Sequence, residues 1–178
     1  MKLFSTTLLD ELTARAAASP RLRAHHNVHS SPGDPVQRFF VCAQRDTYFR
    51  PHRHLTKSEM ALVLRGEFDI LTFDDHGTVT GRYRIGAESA DIGFEMPHAT
   101  WHTLLANVDG AAFLEIKEGP YDPAQAAEFA SWAPAEGDGS VPAFQRWMRS
   151  APSGDTPPGP GAQGARGAVD RVPPPRAR

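Results

Sequence analysis

His52 and His54 stand two residues apart, Glu59 follows after four more, Gly66 after a further six, and His102 stands alone far downstream. Side chains alternate along an extended segment, so the imidazoles of His52 and His54 face the same point in space. Glu59 a few residues on, and His102 from a distant strand, complete a His₃Glu set once the sheet closes on itself. Such a set, with positions left open, suits a catalytic or exchanging divalent ion better than a sealed structural one. Imidazole and carboxylate donors suit Fe(II), Mn(II), Zn(II), Ni(II) or Co(II). An ion of this kind polarises a carbonyl, acidifies water or binds dioxygen, which leaves isomerase, hydrolase and dioxygenase chemistry open.

The elements that must position these residues are mostly short strands. Val36 to Ala43, Ser58 to Leu64, Glu67 to Phe73, Val79 to Ile85, Ile92 to Met96, Thr100 to Ala106 and Ala112 to Ile116 each read as β. Asp74-Asp75-His76-Gly77 reads as a hairpin turn, and Gly66 sits where a second tight reversal is needed. Many short strands with no long helix between them indicate an antiparallel sandwich or barrel. Leu8, Leu9, Leu12 and Ala16 at helical spacing predict a helix from about Thr6 to Ala18, stopped by Ser19-Pro20. The stretch from Arg21 to His29 is polar and reads as a connector, as does the turn-rich Ser30 to Pro35.

These signals divide the chain into an N-terminal helix and connector (1–35), a β-barrel (36–120), an extension packing on it (121–149) and a Pro/Gly/Ala-rich tail (150–178). The extension is read as a short helix from Ala124 to Phe129 and another over Val141 to Arg149. The tail has no apolar periodicity and is expected to be disordered. Trp101, Trp132 and Trp147 read as packing residues.

The 178 residues carry a formal charge of −2, against a general nucleic-acid or anionic-membrane binder. Cys42, the single cysteine, has no partner for an internal bridge and reads as a small buried side chain. The longest apolar runs fall short of a bilayer span, and Asp10 and Glu11 interrupt the start before a signal-length apolar region develops. The expectation is a cytoplasmic, soluble protein acting on a small molecule.

His52-x-His54-x₄-Glu59-x₆-Gly66 resembles the first motif of the cupin superfamily, and Pro97-x-Ala99-x₂-His102 resembles the second. Arg21-Leu22-Arg23, Asn27-x-His29, Asp34-Pro35-Val36-Gln37-Arg38, Lys57-Ser58-Glu59, Gly119-Pro120-Tyr121 and Trp132-Ala133-Pro134 are similar to the WbuC-type cupin-fold metalloproteins. The resemblance implies an all-β double-stranded β-helix of jelly-roll type, with short helical elements at its ends. It implies a metal held by His52, His54, Glu59 and His102, and it makes Asn27 and His29 candidates for the pocket mouth. It further suggests a role in surface-polysaccharide metabolism. The chain departs from the cupin pattern at Asp46, Asp91 and Ala99, where glycine is usual, and at Ala106, where asparagine is usual.

If the strand entering the first motif is regular, Tyr48 and Arg50 share the inward parity of His52 and His54. Arg50, and similarly Lys57, would then bind an anionic group on the substrate. Tyr48, or His98 next to Pro97, would move a proton. His25, His26 and His29 are dense, but no carboxylate or cysteine accompanies them at ligand spacing. A metal-dependent isomerase, epimerase or dioxygenase acting on a small anionic or sugar-derived substrate is expected, against a non-catalytic binding module on the same fold. Exposed sheet edges on such a barrel lead us to expect a homodimer.

Overall fold

The structure, a computed structural model, describes residues 1–159. Two antiparallel five-stranded sheets face each other. The first runs β1 (Arg23–Asn27), β2 (Val36–Ala43), β9 (Ala111–Glu118), β4 (Glu59–Arg65) and β7 (Gly93–Met96). The second runs β10 (Glu128–Phe129), β3 (His52–Arg53), β8 (Trp101–Ala106), β5 (Glu67–Phe73) and β6 (Val79–Gly86). This is the jelly-roll barrel expected of the sequence.

Strand alternation sorts residues onto three packed layers. The inward set Val41, Val63, Phe68, Ile70, Leu104 and Phe113 fills the barrel. Their outward neighbours Phe40, Cys42 and Ala112 are buried as well, because α1 (Thr6–Ala18) lays Leu9, Leu12 and Ala16 across that sheet. Ser19 is extended, as the residue before a proline tends to be, and the helix ends there. The outer face of the other sheet is closed by residues 130–151, where α2 (Val141–Ser150) packs Val141, Phe144 and Met148 on Leu71, Phe73 and Trp101. A ten-residue helix is marginal alone. Fully burying side chains such as Phe144 and Met148 contributes about 2–3 kcal/mol each and holds it in place.

Three stretches differ from the sequence reading. Arg23–Asn27, read as connector, is the edge strand β1, paired along its length with β2. Ala124 to Phe129 forms no helix; Pro123 opens a turn, and Glu128 and Phe129 pair with β3. The segment just beyond Ser150 is held to the barrel: Gly154 N–H donates to Val79 O at 2.7 Å, Val79 N–H to Asp155 O at 2.9 Å, and Trp147 Nε1–H to the Asp155 carboxylate at 2.9 Å. Backbone pairing and one indole donor order a segment that has no apolar pattern of its own. The rest of the expected tail, residues 160–178, lies outside the described residues. Among the described residues no helix is long and apolar enough to cross a membrane.

Candidate metal centre

His52 and His102 are directly opposed residues on β3 and β8, with ring centroids 4.5 Å apart. His54 follows one extended step later, 5.1 Å from His52 by the same measure. The spacing works because the chain is extended through Pro51 to His54, and the Ala99 N–H donates to His54 O at 2.6 Å to tie the two motif segments together. Ala99 holds that contact with a φ of 60°. This is one of the positions where cupins usually place glycine, and the left-handed backbone is the reason. Gly66, with φ 69°, turns β4 into β5, and a Cβ there would meet Val108 at 2.7 Å.

The ligating atoms of His52, His54 and His102 all lie within 4.8 Å of one another. Two nitrogens on opposite sides of one ion stand about 4 Å apart, so small rotamer shifts would let all three share it. Each ring is oriented from behind. The Nδ1 atoms of His52, His54 and His102 meet the carbonyls of Arg50 at 3.0 Å, Ala126 at 2.5 Å and Thr100 at 2.9 Å. A carbonyl only accepts, so each Nδ1 carries the proton and each Nε2 turns a lone pair inward.

Glu59 enters from the opposite sheet. Its Oε1 lies 2.8 Å from His102 Nε2, and its Oε2 lies 3.0 Å from His54 Nε2. The second contact is off-line and makes no hydrogen bond, so His54 Nε2 is a buried polar atom without a hydrogen-bond partner. Lone pairs facing a carboxylate require a cation between them, either a proton or a metal. Burial opposes charge on both His102 and Glu59, but their contact wins and leaves His102 raised and Glu59 well below the usual carboxylate range. Burial and the neighbouring His102 push His52 down to about 3, which keeps it neutral. The donor set therefore fits a divalent transition metal, with His52, His54 and His102 as ligands and Glu59 against two of them.

A cavity of about 530 Å³ opens beside this cluster, lined by His52 and Glu59, by Phe39, Phe49 and Phe113, and by Glu115 and Lys117. Glu115 and Lys117 are the residues the sequence reading missed. Lys117 is the cross-strand neighbour of Glu59, its Nζ 2.6 Å from Glu115 Oε1 and 3.8 Å from Glu59 Oε2. Burial, reinforced by Glu59, raises the Glu115 carboxyl despite Lys117. Lys117 is raised too, its burial outweighed by Glu115 and Glu59.

The structure separates the other expected site residues. Asn27 and His29 line the cavity, and His29 Nδ1 accepts the Arg38 N–H at 3.0 Å. Tyr48 and Arg50 do not share the inward parity, because residues 44–51 form a turn and an irregular run, not a regular strand. Tyr48 is buried in the outer layer against Phe144, and its hydroxyl donates to Pro134 O at 2.9 Å. Arg50 donates to Ala130 O at 2.9 Å and stacks on Phe129. Lys57 donates to Pro120 O at 2.5 Å, and His98 is exposed in the turn before β8. Of the dense histidines, His25 shares the cavity side with Asn27, whereas His26 packs near Phe40.

The family described as Domain of unknown function (DUF6016) matches residues 4–85, which include His52, His54 and Glu59 but stop before His102. No curated protein matches the chain. Among solved structures, CapF in complex with 3-isopropenyl-tropolone is similar with a TM-score of 0.50 and 18% identity, over 59% of this chain and 30% of that one. KdgF from Halomonas sp. is similar with a TM-score of 0.46 and 18% identity, over 58% of this chain and 84% of that one. Oxalate decarboxylase from Bacillus subtilis gives 0.47 and 16%, over 60% and 27%. The chain thus spans under a third of the CapF and oxalate decarboxylase chains. With its two-sheet topology and paired histidine segments, the chain has the cupin double-stranded β-helix fold.

Proposed function

We propose that this chain is a metal-dependent enzyme that moves a proton on a small anionic substrate, in an isomerisation or epimerisation. One observation carries the reading: a buried carboxyl and an ammonium, Glu115 and Lys117, face the same cavity as His52 and Glu59 of the histidine cluster. A buried ion pair is weak evidence for stability, because its desolvation offsets its attraction. Placed at the edge of a ligand-sized cavity, the pair has a chemical use instead. His52, His54, His102 and Glu59 would hold the metal, which when bound supplies Lewis-acid polarisation of a substrate carbonyl. Lys117 Nζ would hold the anionic group with a donor not engaged by Glu115. Glu115, whose raised carboxyl sits on the cavity wall, would take and return the proton. The enclosing Phe39, Phe49 and Phe113 exclude water from that transfer.

The test is proton exchange. Metal-loaded protein is incubated in D₂O with a panel of 2-oxo and 2-hydroxy carboxylates, and replacement of C–H by C–D is followed by NMR. Exchange that depends on metal and is lost in Glu115→Gln supports the reading. Ligand binding without exchange by any acid would identify a metal-assisted binding module instead, and turnover that consumes dioxygen would identify an oxygenase.

A further inference from the structure

The cavity wall specifies more than an anionic group. Around its mouth, most polar side chains are already bonded within the protein. Arg21 makes two hydrogen bonds to Glu136, and Arg23 bonds the same carboxylate and Tyr48 O. The Gln37 amide donates to Asp34 O at 2.8 Å and to Pro32 O at 3.2 Å. His25 and Asn27 are exposed at the rim. The lining also includes Phe39, Val41, Phe49, Leu104 and Phe113 beside the polar cluster of His52, Glu59, Glu115 and Lys117; Phe39 is the cross-strand neighbour of Glu115, and Lys117 Nζ lies 5.2 Å from its ring centroid.

We infer that the substrate is a small carboxylate with an apolar body, aromatic or branched aliphatic, and not a polyhydroxylated sugar acid. This rests on the reading of Lys117 and the metal cluster as the polar end of the site. A sugar acid would bring several hydroxyls into a wall of phenyl rings and methyl groups, where each buried hydroxyl without a partner is penalised. An apolar body gains from the same wall by losing its own contact with water. A single charged head meets Lys117 and the metal cluster, and the apolar body meets the phenyl rings beside them.

The experiment is calorimetric titration of the metal-loaded wild-type protein, with metal content measured on the same sample. The probes are phenylpyruvate and 4-methyl-2-oxopentanoate, against gluconate and glucuronate. Binding of the apolar acids at least about tenfold tighter than the sugar acids is expected. Val41→Thr, a near-isosteric change that adds a hydroxyl to the wall, is expected to narrow the ratio. Sugar acids binding as tightly as the apolar acids, or no acid binding to protein that holds its metal, overturns the inference. Protein that takes up no metal would instead count against the proposed function.

Discussion

Asp69 and Glu59 are both carboxylates on barrel strands, 2% and 6% exposed respectively, yet their surroundings have opposite chemistry. Asp69 lies on the outer face beneath α2. Its oxygens accept from Arg82 Nη2 at 2.5 Å, Arg84 Nε at 2.9 Å and Asn107 Nδ2 at 3.0 Å, all groups that carry protons at any ordinary pH. Arg82 continues to the carbonyls of Met148 and Arg149, so the network fastens the end of α2 to the barrel. Glu59 lies inside and faces imidazole nitrogens whose rings already carry their proton on the far side. A complete network stabilises; an acceptor-rich one selects a cation. Burial alone does not distinguish a structural carboxylate from a functional one, and the protonation state of its neighbours does.

Asp69→Ala should give the largest effect. It strands two guanidinium groups and an amide, and should lower unfolding stability by about 3 kcal/mol, the low end for breaking a buried pair because Arg84 is largely exposed. Chemical denaturation measures this, and the variant that remains folded should bind metal as the wild type does. Glu59→Gln should behave in the opposite way. Its amide can donate to a neutral imidazole lone pair but cannot pair with a protonated His102. Metal-free stability should therefore stay level or rise by about 1 kcal/mol only above the pH at which His102 loses its proton and should fall below it, while metal affinity falls at least about tenfold. Destabilisation of the metal-free protein above that pH comparable to that of Asp69→Ala would erase the contrast.

pH separates the two sites further. Burial opposes ionisation of Asp69, but its hydrogen bonds from Arg84, Asn107 and Arg82 prevail and lower its value. Its contribution should be full above about 4 and lost as pH falls through the depressed value. His102 is raised, so in metal-free protein its contribution is full below about 6.5 and lost as pH rises through its folded value. Added metal should therefore raise the melting temperature more at about pH 8 than at about pH 6, because protons compete for the same Nε2 atom. Thermal melts with and without metal check both windows. The smallest effect belongs to Ala99→Gly, which relieves a left-handed backbone while loosening the unfolded chain, for a net gain of at most about 1 kcal/mol.

The sequence made the inner barrel legible wherever period-two alternation coincided with burial on one face. Strands β2 and β4 to β9 and the convergence of His52, His54 and His102 follow from that pattern, whereas the edge strands β1 and β10 do not. It failed on β9, where Ala112, Leu114 and Ile116 suggest the core face and Glu115 and Lys117 the solvent face. In the structure the faces run the other way because α1 covers the outside of that sheet, so an apolar outer face costs nothing and the inner face is free to carry charge. Tyr48 and Arg50 were misplaced for a different reason: their turn breaks the alternation that was extrapolated upstream from His52. Tertiary cover and local breaks in periodicity are not written in the spacing of a single strand.

Elemental analysis of the protein purified without added chelator, together with His52→Ala, tests the central claim most directly. The account predicts close to one divalent transition-metal ion per chain in the wild type, and loss of that ion in a variant that stays folded. A wild type that holds no metal after dialysis against zinc, manganese, cobalt, nickel or anaerobic ferrous iron, or a His52→Ala variant that retains it in full, would contradict the assignment.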